Sequence, residues 1–214
     1  MNFLRRELLD IEGDTFSLGL IRVLLALVLW SRFAMEVSPY YVADPERWAL
    51  SVVFFVSTTA MFVGYHGQAA TVVTAMTLWV MKLYFGHHKG FDDWTHHHTN
   101  LLVIATTILS LGPCSRSLSL DRWLHPEQRE VGFLWTQRML AVQVSTLYLW
   151  SAWDKTQWGF LTGERLQMMA MRWYFLEHPH TLWFEAGCAI AAWMVVVLEY
   201  LLPFALFVPR WQRV

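Results

Sequence analysis

Charge is what this sequence has least of. Only 15% of its 214 residues are Asp, Glu, Lys or Arg, against about a quarter in a soluble domain. The formal net charge is −1 and, the adjacent Arg5 and Arg6 aside, the basic residues are scattered without a patch, which argues against a nucleic-acid surface. Cysteine is equally scarce. Cys114 and Cys188 lie far apart, the second inside an apolar run, so no disulfide framework or CxxC motif is offered. There is no internal repeat and no low-complexity linker. Apolar residues fill the chain instead, 56% hydrophobic and 16% aromatic. Those proportions are the signature of an integral membrane protein.

The chain opens "MNFLRRELLDIEGDTFSLGLIRVLLALVLW". Arg5 and Arg6 precede an apolar run, but no small-x-small cleavage site follows, so the run is expected to stay as a first helix. A membrane-spanning helix needs about 20 mostly apolar residues. Six stretches meet or approach this: 16–35, 48–65, 69–86, 99–113, 133–153 and 182–208. The expectation is an all-α integral membrane bundle of about six transmembrane helices, one domain over 1–214. Segment 154–181 contains "GERLQMMAMRWYFLEH", which reads as an amphipathic interfacial or surface helix. With the N-terminus inside, Arg5, Arg6, Arg116, Arg122, Arg129, Arg210 and Arg213 are cytoplasmic. Arg47, Lys89, Lys155, Arg165 and Arg172 lie opposite. Under the positive-inside rule this predicts cytoplasmic termini, with the Lys155 connection and a histidine-rich loop on the outer face.

Ionisable residues inside membrane spans are costly and mark function or pairing. Arg22 lies in "SLGLIRVLLA" and Glu199 in "VVVLEYLLPF". Both approach from the cytoplasmic side in this topology, so an Arg22–Glu199 ion pair is one expectation, and snorkelling of Arg22 another. Tyr148, Ser151 and Lys155 are spaced i, i+3, i+7 and share one helical face. Crowding by Trp150, Trp153 and Trp158 would desolvate the lysine and make it a working base. Asp154 next door opposes that, and the bland alternative is a lysine at the interface. The stretch "GHHKGFDDWTHHHTN" carries five histidines in twelve positions, 87–98. Consecutive helical residues diverge by about 100°, so His96, His97 and His98 cannot all face one ion. A proton-relay histidine, a metal site and a plain interfacial loop all stay open.

Several motifs then fall together in order. "FSLGLIRVLLALVL", "MFVGYHGQAATVV", "WTHHHTNLLVIATTILSL", "SRSLSLDRW", "YLWSAWDKTQWGFLTGERL" and "VLEYLLPFALFV" resemble the membrane domain of vitamin K-dependent gamma-glutamyl carboxylases. They equally resemble the bacterial proteins grouped as horizontally transferred transmembrane domain (HTTM) proteins. The fifth is the most specific, with Tyr148, a lysine seven residues on (Lys155) and a glycine eight beyond (Gly163). The resemblance implies Lys155 as the base that deprotonates a reduced vitamin K or another lipid quinol. Dioxygen then oxidises the quinol, and carbon dioxide is the further co-substrate of the carboxylases. It also implies an assisting histidine, His98 by the following leucines or His97 by Trp94, and quinol-binding roles for Arg22, Tyr148, Trp150 and Glu199. No metal is expected. Two departures stand out. Asp154 replaces a second lysine, and no segment corresponds to the large lumenal domain that grips the protein substrate.

The leading expectation is therefore a minimal carboxylase-like membrane enzyme acting on an unidentified peptide or small molecule. Its expected partners are membrane lipids, a lipid quinone and a peptide substrate or soluble partner protein. Bacterial inner membrane is the expected location. A non-catalytic membrane partner, serving peptide maturation or immunity, is the first alternative. A histidine-metal lipid oxygenase is the second.

Overall fold

A computed structural model of the chain describes residues 12–38, 44–127, 130–173 and 182–206. Arg5, Arg6, Arg129, Arg210, Arg213, His178 and His180 lie outside the described residues, as do positions 174–181 and 207–208 of the expected segments. The chain divides into two compact units, Met1–Leu140 and Ala141–Val214. It is nearly all helical, as composition predicts. The exception is one antiparallel ribbon of β1 (Glu12–Asp14) and β2 (Val131–Phe133), with Gly13 opposite Gly132.

The first unit is built on α1 (Phe16–Phe33), α2 (Pro45–Val63), α3 (Gly67–Met81) and α4 (His97–Ser110). The short α5 (Leu120–Leu124) follows. Local chemistry sets the boundaries. Asp44 caps α2 by accepting the Arg47 backbone N–H at 3.2 Å, with Pro45 at the first helical position. Gly64, at φ +75°, ends α2 in the left-handed conformation. Helix α3 continues as a π-helical segment, Lys82–His88. Contacts run α1 to α2, α2 to α3, α3 to α4 and α1 to α4. One apolar cluster gathers Leu29, Phe33, Phe54, Leu78, Phe85 and Trp94, and a second Leu18, Ala26, Met61, Leu109 and Leu140.

The second unit holds α7 (Trp158–Leu161), α8 (Glu164–Trp173) and α9 (Leu182–Leu206), after α6 (Trp135–Lys155), within which the unit boundary falls. Its cluster is Phe160, Leu161, Ala192 and Val196. The expected amphipathic helix is α8, with Leu166 and Met171 turned inward and Arg165, Met168 and Arg172 outward.

Among the described residues four helices are long and apolar enough to cross a membrane: Phe16–Phe33, Pro45–Val63, Gly67–His88 and Leu182–Leu206. They correspond to four of the six expected stretches. The 99–113 stretch becomes α4, whose 14 residues reach only about 21 Å at 1.5 Å per residue, short of a hydrocarbon core of about 30 Å. The 133–153 stretch becomes α6, which is long enough at 21 residues but too polar to qualify. Gln137, Arg138, Gln143, Ser145, Thr146 and Ser151 interrupt its apolar content.

Candidate functional site

The most telling arrangement among the sequence candidates is in the second unit. Lys155, the last residue of α6, donates from Nζ to Oε1 of Glu199 on α9. The Glu199 side chain is 14% exposed and its Oε2 is buried without a hydrogen-bond partner among the described residues. The Phe160 ring lies 5.9 Å from Lys155 Nζ, a cation–π distance. One residue on, the hydroxyls of Thr156 and Tyr200 meet at 3.1 Å.

The contacts that follow define the depth of this pair. From Lys155 at Glu199 and Thr156 at Tyr200, the chain returns along α9 through Phe160 and Leu161 beside Ala192 and Val196. It reaches Gly163 at Cys188 and Ala189. Ten residues of α9 separate Ala189 from Glu199, about 15 Å of helix. Lys155 therefore lies beside α9 well along the helix from the Gly163 contact. Sequence reasoning put Lys155 and Glu199 on opposite sides; the ion pair puts them at one level. Gly163 explains its own place in the motif. It adopts φ +80°, and a Cβ there would stand 2.5 Å from the Ala189 backbone nitrogen, so only glycine allows this close approach.

Two sequence expectations about this pair change. Glu199 is paired with Lys155, and Arg22 has a different neighbourhood. Trp150, Trp153 and Trp158 do not crowd the lysine. They are 74%, 71% and 77% exposed, as suits indoles facing lipid or its interface. Tyr148, Ser151 and Lys155 are all half-buried, as one shared face requires.

In the first unit Arg22 is wholly buried. Its Nη2 donates to the Leu118 carbonyl at 2.5 Å, while Nε and Nη1 have no hydrogen-bond partner among the described residues. The guanidinium lies against the turn Gly64–Tyr65–His66–Gly67. Asp121 secures that turn by accepting the backbone N–H groups of His66 at 2.8 Å and Gly67 at 2.7 Å. Arg22, "GYHG" and "SLSLD" thus form one clasp. Cys114 is buried nearby, 3.6 Å from the Thr71 hydroxyl, and burial pushes its thiol pKa up, keeping it protonated and unreactive.

The histidine stretch is in the first unit as well. Its anchor is Trp94, which the sequence reading used only as an alignment point. Trp94 is buried and stacked between Phe33, at 4.7 Å, and Phe85, at 5.0 Å. Phe91 stacks on Phe85 in turn, at 6.1 Å. His87 and His88 end the π-helical segment, His96 precedes α4, and His97 and His98 begin it. All five imidazoles are exposed, and the His97 and His98 ring centroids are 3.8 Å apart. Among the described residues no three His, Cys, Asp or Glu side chains gather as metal ligands would.

A family model, the HTTM domain, matches residues 41–214. The chain belongs to the HTTM domain family. It is accordingly a membrane domain related to the vitamin K-dependent carboxylases. The match takes in Lys155, Gly163 and Glu199, the clasp turn and the histidine stretch, and starts after α1 and Arg22. No curated protein and no solved structure matches the chain.

Proposed function

We propose that this HTTM domain is a carboxylase-like membrane enzyme whose Lys155 deprotonates a lipid quinol, which dioxygen then oxidises to drive modification of a peptide or small molecule. One observation carries the reading. Lys155 of α6 is paired with Glu199 of the membrane-length α9, with one carboxylate oxygen buried and lacking a donor among the described residues. The hydroxyl of a quinol is a donor of the right kind, and its isoprenoid tail is soluble where α9 is soluble. Carbon dioxide enters only if the product is a carboxylate. Lys155 is the base, and Tyr148 and Glu199 are the groups of this unit assigned to holding the substrate. His98, with His97 second, is assigned as an assisting donor, and Arg22 and Trp150 as quinol contacts, on the family resemblance alone.

Bacterial inner membrane, with both termini cytoplasmic, is the location proposed from the loop charges. In that orientation Glu199, about 10 Å from the end of α9 at Leu206, sits nearer the cytoplasmic end. The outer-face site of the sequence reading requires the reverse orientation.

The test is quinone epoxide formation by the purified protein in lipid, with menaquinol and ubiquinol in parallel and oxygen present or withheld. Oxygen-dependent epoxide that disappears in Lys155→Ala supports the reading. Retention of activity in both Lys155→Ala and Lys155→Arg overturns the base assignment. Absence of turnover with either quinol favours the non-catalytic membrane partner.

A further inference from the structure

The lysine of this site already holds a proton acceptor, and that acceptor has one side free. Glu199 takes the Lys155 hydrogen bond through Oε1, while Oε2 is buried and without a donor among the described residues. A buried carboxylate oxygen without a donor is costly unless something supplies one. No described side chain supplies that donor. Phe160 presents a ring to Lys155, and the Thr156 hydroxyl donates to the Ala152 carbonyl and accepts from Tyr200. Asp154, adjacent in sequence, is exposed.

We propose that Lys155 and Glu199 act as one proton-sharing pair, in which Glu199 takes a proton from the Lys155 ammonium and the freed amine takes the proton of a phenolic hydroxyl seated beside the pair. This rests on the reading above of a phenolic lipid substrate at Lys155. The ammonium of Lys155 gives a proton to Glu199, so one N–H bond breaks and one carboxyl O–H bond forms. The neutral amine then takes the substrate proton, so the substrate O–H bond breaks and an N–H bond forms. Lys155 ends as it began, Glu199 ends neutral, and the substrate oxygen ends negative beside the ammonium. No electron moves. One ion pair has replaced another, so the number of charges in an apolar setting is unchanged. That avoids the desolvation cost an unpaired buried charge carries.

The experiment uses the full chain in lipid nanodiscs, with naphthols of graded acidity as probes. Absorbance reports the ionised naphthol, and infrared difference spectra report a protonated carboxyl group. Carbon-13 labelling of glutamate assigns the band without any substitution. The expected result is that ionised naphthol and a glutamate carboxyl band appear together in equal amounts. In Glu199→Gln the naphthol binds but its ionised fraction falls at least about tenfold, one pKa unit, and Glu199→Asp restores part of it. Ionised naphthol without a carboxyl band overturns the inference and leaves Lys155 as the sole base. A wild-type protein that binds no naphthol overturns both this inference and the quinol reading beneath it.

Discussion

Arg22 occupies the space that a side chain on Gly64 would need. A Cβ on Gly64 would stand 2.1 Å from Arg22 Nη1, and Gly64 is also held at φ +75°. Gly90 offers the matching control, with φ +70° and nothing within 4 Å of its Cβ position. Gly90→Ala is expected to cost about 1 kcal/mol, the backbone strain alone, and Gly64→Ala about 3 kcal/mol or more. Unfolding in one detergent measures both, and equal losses would mean that Arg22 does not press on this turn.

Gly163 and Gly159 form a second such pair. A Cβ on Gly163 would strike the backbone of α9 at Ala189, whereas Gly159 has open space around it. Gly159→Ala, within the short α7, is expected to be neutral or slightly stabilising. Gly163→Ala is expected to lose about 2 kcal/mol or more through backbone strain and displacement of α9. Under the proposed function it should also reduce quinol turnover, because α9 carries Glu199. Melting curves beside oxygen-uptake rates separate the two effects.

The histidine stretch should depend on Trp94. Trp94→Ala removes a wholly buried indole stacked between Phe33 and Phe85, at an expected cost of about 3–5 kcal/mol. Trp94→Phe retains part of the stack and should cost less. Limited proteolysis checks the local consequence: cleavage between Gly86 and His98 is expected to rise sharply in Trp94→Ala. Unchanged proteolysis would show that the stack does not hold this stretch.

Asp44 gives a pH dependence with a definite sign. The Arg47 backbone N–H holds its carboxyl below the usual carboxylate range, with help from Tyr84 and Lys89. A depressed folded-state pKa contributes stability that is full above the unfolded value, about 3.9, and fades as pH falls through the folded value. The melting-temperature gap between wild type and Asp44→Ala should therefore hold steady from about pH 7 to pH 5 and shrink below about pH 4. A gap that widens with acid would contradict the cap.

Much of the candidate site was legible in the sequence, though its pairing was not. Lys155, Gly163 and Glu199 were singled out by motif, and the Tyr148–Ser151–Lys155 face by helical spacing. A count of six spans puts Glu199 and Arg22 on the same side of the membrane and so predicts the wrong partner for Glu199. Glu199 pairs with Lys155 because α6 ends alongside α9 and the chain turns back through Gly163, a path that no periodicity encodes. The histidines stand out by number, while the residue that holds their stretch, Trp94, is a single indole whose stacking partners come from α1 and the π-helical segment after α3.

By itself the sequence determined that this is a helical membrane protein of the HTTM kind. Apolar length, scarce charge and ordered motifs are local properties that need no fold to be read. Only the tertiary structure decided which ionisable groups meet. In an apolar setting a charge must find whichever partner packing brings within hydrogen-bond reach, and that is set by how the helices turn back on one another.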